Sequence, residues 1–171
     1  MRRISLIILV HLAGFCYGQL STADSALIGK NVHNIKLLNQ DGDTVSLKEY
    51  QGKYLYVDFW FTQCKPCIAE FPFAKRLKNK MDEENMAFIN VSFDISKSMW
   101  KESIKKFDIT GENFLVSSFD NYNLLRNEFN VYFFPKFWVV SPEGNIINPS
   151  AGRPSDYVDN DLLKNEMDDV H

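Results

Sequence analysis

Apolar residues first fall into a regular pattern near residue 34. Ile35, Leu37 and Leu38 precede Asn39-Gln40-Asp41-Gly42-Asp43, and Val45 and Leu47 alternate with polar neighbours beyond it. An Asp-Gly pair between two short apolar runs predicts a β-hairpin. Residues 53–60 are almost wholly apolar or aromatic, as in a strand buried on both faces. From 65 to 81, Ile68, Phe71, Ala74, Leu77 and Met81 recur at three- and four-residue steps, which predicts a helix kinked at Pro72. Residues 86–93 read as a second buried strand. Residues 97–107 read as an amphipathic helix with Trp100, Ile104 and Phe107 on one stripe, and 114–116 as a short strand. Asp120 is placed to cap a helix carrying Tyr122, Leu125 and Phe129. Residues 136–140 and 145–147 flank Ser141-Pro142-Glu143-Gly144, a turn that closes a second hairpin. Residues 156–170 pattern as a final acidic helix with Tyr157, Leu162 and Leu163 on its inner side. Strands alternating with helices, framed by hairpins at both ends, predict an α/β domain around a mixed sheet.

The start of the chain follows other rules. Arg2 and Arg3 precede a run from 4 to 15 that is apolar apart from Ser5 and His11, and Cys16-Tyr17-Gly18 supplies small residues at −3 and −1. Residues 1–18 therefore read as a secretory signal peptide. A retained anchor fits less well, because the run falls short of the ~20 apolar residues of a spanning helix. Residues 19–33 are small and polar without a period and are expected as a flexible arm before a folded domain at 34–171. Export, with the periplasm as destination and secretion as the alternative, places the mature chain where disulfides form. Fourteen Phe, seven Tyr and three Trp give enough bulk for a core without disulfide staples. The net charge is −3, so the chain lacks the basic excess that nucleic-acid binding requires. A monomer is expected.

Of three cysteines, Cys16 leaves with the leader and Cys64 and Cys67 remain. The pair lies directly after the most apolar strand, at the start of a helix, as Cys64-Lys65-Pro66-Cys67. Unpaired N–H groups and the positive dipole end at a helix N-terminus favour a thiolate, and Lys65 adds a cation. Pro66 suits the first helical turn and stiffens the loop between the sulfurs. Cys64, nearer the solvent-facing turn, is the expected attacking sulfur, and Cys67, one turn into the helix, the resolving one. A mere staple is a poor alternative, since so short a loop stabilises by only about 2 kcal/mol. Two cysteines supply half the ligands of a structural zinc site, and only His33 and His171 remain beyond the leader. Ile68 after Cys67 excludes the Cys-x-x-Cys-His haem attachment motif. No metal and no cofactor beyond the redox-active disulfide is expected.

Asp58 stands among apolar strand neighbours, six residues before Cys64. Burying an ionised carboxylate costs several kcal/mol, so its pKa should rise and make it a proton acceptor for the resolving thiol. Glu70, three residues after Cys67, lies near the same helix face and could share that task.

The stretch Asp58-Phe59-Trp60-Phe61-Thr62-Gln63-Cys64-Lys65-Pro66-Cys67, with Pro72, resembles the active-site region of the thioredoxin superfamily. Its framing by Asp41-Gly42, Gly52-Lys53, Val91-Ser92-Phe93-Asp94, Phe134-Pro135 and Pro142-Glu143-Gly144 is similar to the TlpA/ResA branch of exported thiol-disulfide oxidoreductases. The resemblance implies a thioredoxin-like fold, a central mixed sheet flanked by helices with an N-terminal hairpin. It implies Cys64 as nucleophile, Cys67 as resolving cysteine, Asp58 and Glu70 as acids, and Trp60 as the client-contacting aromatic beside the site. Pro135 matches a cis-proline that, with Phe134, presents backbone to a client. Protein thiols or disulfides would then be the clients, apocytochromes c among the candidates, and a membrane or periplasmic donor would recycle the dithiol. Gln63, Lys65 and the aromatic Tyr132-Phe133-Phe134 depart from the family pattern. A peroxiredoxin-like peroxidase is the alternative enzyme, but Phe61 and Val57 stand where its Thr and Pro would be. A non-enzymatic thiol- or metal-binding module is the remaining alternative.

Overall fold

A computed structural model describes residues 21–168; the expected leader and residues 169–171 lie outside them. Residues 21–33 are not the loose arm expected. Ser21 caps a short helix, α1 (Thr22–Ser25), and Leu27 and Val32 are enclosed in the main core. Gly29 N–H donates to the Ile146 carbonyl at 2.8 Å, Ile146 N–H to Lys30 at 3.0 Å, and Val32 N–H to Gly144 at 2.8 Å. The segment is a strap hydrogen-bonded to the second hairpin, and such irregular backbone leaves no period to read.

The predicted first hairpin forms from β1 (Lys36–Leu38) and β2 (Thr44–Ser46), paired antiparallel through Leu37↔Val45. Leu47, expected on the return strand, instead opens a 3₁₀ turn (Leu47–Tyr50), because Ser46 and Glu49 close a capping box there. Strand β3 (Tyr54–Trp60) then runs parallel to β4 (Met86–Ser92), and β4 parallel to β5 (Glu112–Leu115). Strands β6 (Lys136–Val140) and β7 (Ile146–Asn148) form the second hairpin, with β6 antiparallel to β3. The sheet order is β2-β1-β5-β4-β3-β6-β7, so β3 and β4 lie at its centre.

Alternation along β3 sorts its side chains between the two faces. Leu55, Val57 and Phe59 join the core shared with Leu27, Val32, Leu125 and Phe129. Tyr56 and Trp60 face the other way. Tyr56 packs with Leu77, Phe137, Tyr157 and Leu163, and Trp60 with the two cysteines, Phe71 and Trp100. Asp58 falls between them, on the face covered by α2 (Lys65–Lys78). Helix α2 runs through Pro72, which lies on its exposed side. Helix α3 (Lys97–Lys106) buries Trp100 and Ile104 on that same layer.

Two helical expectations need correction. Ser118, not Asp120, caps α4 (Phe119–Asn123) by accepting from Asn121 N–H, and the chain continues as a π-helical turn, Leu124–Glu128. The last helix is two pieces, α5 (Pro154–Tyr157) and α6 (Leu162–Asp168). Asn160 breaks it, its amide donating to Asp156 while its carbonyl oxygen accepts from Leu162 N–H. Tyr157 and Leu163 are buried as expected, but Leu162 faces solvent.

Candidate active site

Cys64 and Cys67 are joined as a disulfide at the head of α2, with Cα atoms 5.3 Å apart. Cys64 is the helix N-cap, and its sulfur accepts from Cys67 N–H at 3.3 Å. The backbone donor left over by helix geometry is thus aimed at the first sulfur, where it would stabilise negative charge after reduction. The attacking sulfur is less open than expected. Cys64 is 4% exposed and Cys67 0%, because Phe61, Ile68 and Phe134 pack around their cluster. Of the two, Cys64 alone retains any exposure.

The loop ahead of Cys64 is pinned from below. Thr62 donates from its N–H to Asp94 at 3.0 Å and from its hydroxyl at 2.7 Å, and Ser92 Oγ donates to the same carboxylate at 2.8 Å. Asp94 was visible only as part of a strand-end pattern; its work as an anchor for residues 61–63 depends on a fold that brings β4 beside them.

Asp58 is 2% exposed, and neither carboxylate oxygen has a hydrogen-bond partner. Burial pushes its pKa well above the ordinary value, and the nearby Glu70 charge pushes it further. It is therefore a protonatable group on the sheet face beneath α2. Glu70 is buried on α2, but its oxygens are occupied: one accepts from Ser155 N–H at 3.0 Å and the other from Ser155 Oγ at 3.1 Å, with Arg153 4.0 Å away. Ser155 stands in the first turn of α5, so Glu70 ties α2 to that helix. Pro154 at that helix start was a readable signal, but its partner was not.

Trp60 needs correction as a client-contacting residue. It is 0% exposed and packs edge-on against Phe71 with centroids 5.2 Å apart, so it walls the disulfide from inside. Its place at the end of a two-face-buried strand leaves it no route to solvent. Phe134 meets Phe61 and Phe93 edge-on at 5.3 and 5.0 Å, while Phe133 is 83% exposed. The Phe134–Pro135 bond is cis. Among the described residues no group of three or more His, Cys, Asp or Glu is arranged to hold a metal, and no helix is long and apolar enough to cross a membrane.

Three parallel central strands flanked by antiparallel ones, a Cys-x-x-Cys pair at the head of the helix after β3 and a cis-proline before β6 define one class of protein. The chain belongs to the thioredoxin-like family, whose model matches residues 52–146. It is 28% identical over 153 residues to the thiol-disulfide oxidoreductase ResA of Bacillus cereus, covering 88% of this chain and 86% of that protein. Among solved structures it resembles the thioredoxin domain of a thiol-disulfide oxidoreductase from Bacteroides vulgatus, with TM-score 0.72, 25% identity and coverage of 86% and 98% of the two chains. A thiol:disulfide interchange protein from Bacteroides sp. superposes with TM-score 0.71 at 26% identity over 81% of this chain and 90% of that one.

Proposed function

We propose that this thiol-disulfide oxidoreductase is exported and works as a reductase of protein disulfides, with Cys64 and Cys67 as its reacting atoms. The observation that carries the reading is the Cys64–Cys67 disulfide at the head of α2, with Cys64 4% exposed and Cys67 wholly enclosed. In the reduced protein the Cys64 thiolate attacks one sulfur of a client disulfide. The client S–S bond breaks, a mixed disulfide forms, and the second client sulfur leaves as a thiolate that takes up a proton. Cys67 then gives its proton to Asp58 and attacks the Cys64 sulfur. The client's remaining sulfur departs and is protonated, and the Cys64–Cys67 bond is formed. Two electrons pass to the client, and a membrane or periplasmic donor restores the dithiol. Glu70, held by Ser155, acts on this scheme through the Asp58 charge.

Phe134 and Pro135 supply the client surface, where an extended segment pairs with backbone and lies against the Phe133 ring. That mode demands little sequence and suits varied secreted thiols, apocytochromes c among them. The protein works as a monomer with no cofactor beyond its disulfide. Insulin reduction by dithiothreitol, run beside peroxide consumption, tests the reading. Insulin reduction that Cys64→Ser abolishes is expected; peroxide consumption without insulin reduction would overturn it in favour of a thiol peroxidase.

A further inference from the structure

One carboxylate remote in sequence from the dithiol takes hydrogen bonds from three side chains in two other segments of the chain. Asp24, on α1, accepts from Lys136 Nζ at 2.7 Å, Asn130 Nδ2 at 2.9 Å and Ser150 Oγ at 3.0 Å. The Asp24 and Lys136 side chains are only 14% and 12% exposed. Burial alone would push the Asp24 carboxyl up, but the three donors and the lysine charge outweigh it and hold the group below its ordinary value. Exposed ion pairs contribute little; a shielded carboxylate with three donors is another matter, since losing one partner strands the other.

What is clamped matters more than the clamp. Asn130 and Lys136 are the two ends of the segment that carries Phe133, Phe134 and the cis Pro135. Asn130 sits at φ 53, in the left-handed region that a side chain disfavours. Lys136 opens β6 opposite Phe59 of β3. Ser150 follows β7 and closes the arrangement from the far side. The geometry points to Asp24 as a positioning residue: by tying Asn130 to Lys136 it sets the shape of residues 133–135, the surface on which a client disulfide is presented to Cys64. This rests on the reading of Phe134 and Pro135 as client surface. The strap at residues 21–33 then belongs to client recognition as well as to the core.

A purely structural anchor would weaken folding and every reaction together. Asp24→Asn and Asp24→Glu, and the double variant Asp24→Leu/Lys136→Met, separate the cases. The double variant removes both charges, so it should melt no earlier than the parent. Each is assayed for insulin reduction, with kcat and KM resolved, and for the rate of exchange with glutathione disulfide, which needs no extended client surface. In Asp24→Asn and in the double variant, kcat/KM for insulin should fall about tenfold, chiefly through KM, against less than about twofold for glutathione disulfide. Asp24→Glu should recover part of the loss. Equal losses on both substrates, or a double variant with the parent's insulin KM, would overturn the positioning role. A parent protein that exchanges with glutathione disulfide but leaves insulin untouched would instead overturn the client-surface reading, and the clamp's role with it.

Discussion

Replacing Asp58 by Asn separates a proton acceptor from a buried spectator. The carboxyl is enclosed, unpartnered and pushed upward by burial first and by Glu70 second. In the unfolded chain an aspartate titrates near ~3.9. Between that value and the raised folded one, the native state binds more protons than the unfolded state. The parent's stability therefore falls as pH rises through this window, by up to about 1.4 kcal/mol per pH unit, and levels off above the folded pKa. For a chain of this size that slope is worth ~3–5 °C in Tm per unit. Asn has no such titration. Its amide adds a pH-independent cost of about 1–3 kcal/mol if left without a partner, so the difference at a single pH decides nothing. The slope decides. Urea melts of the oxidised proteins, followed by the fluorescence of the enclosed Trp60, Trp100 and Trp138, should give a parent-minus-variant difference that moves steadily against the parent as pH rises from about 4. In the reaction, Asp58→Asn should slow release of the mixed disulfide roughly a hundredfold, the low end for a positioned general base, while sparing attack by Cys64. A stability difference that is flat with pH would refute the burial argument, and unaltered release would pass the proton to water or Glu70.

Three further outcomes are expected. In the reduced protein Cys64 should be alkylated by iodoacetamide far faster than Cys67, and Cys67→Ser should accumulate mixed disulfides with clients; equal alkylation rates would contradict the roles assigned. Gly111→Ala should lower the urea midpoint by more than about 1 kcal/mol's worth, because Gly111 sits at φ 97 and an added Cβ would stand 2.6 Å from the Phe88 carbonyl oxygen. An unchanged midpoint would mean that the β4–β5 crossover gives way more easily than its close approach implies. Intact mass of protein exported by its native host should show a chain beginning near Gln19, and retention of Met1 would rule out cleavage.

The central strands were legible because burial on both faces leaves a signature in composition: residues 54–60 and 86–92 are apolar almost throughout. The dithiol was legible because its chemistry needs a strand, a turn and a helix start in immediate succession. Asp58 stood out as the one charge in an apolar strand, and its enclosure follows from that. What was hidden is held by pairings across long sequence separations. Asp24 meets Lys136 112 positions away, and Glu70 meets Ser155 85 positions away. Leu27 and Val32 are too few to set a period, so their burial is decided by the second hairpin. Trp60 carries the right residue type for a surface beside the site, yet alternation along β3 turns it inward against Phe71. The break in the final helix depends on a local competition, in which the Asn160 side chain takes over backbone partners at Asp156 and Leu162.

The reduction potential of the Cys64–Cys67 couple tests the central claim most directly. Equilibration of the protein across a series of dithiol–disulfide buffers, with trapped thiols counted by mass, yields it. A reductase built on this site should titrate reversibly as a single two-electron couple near the ~−270 mV of thioredoxin. A value near the ~−120 mV of a strong oxidant, or a disulfide that none of the buffers reduces, would contradict the account.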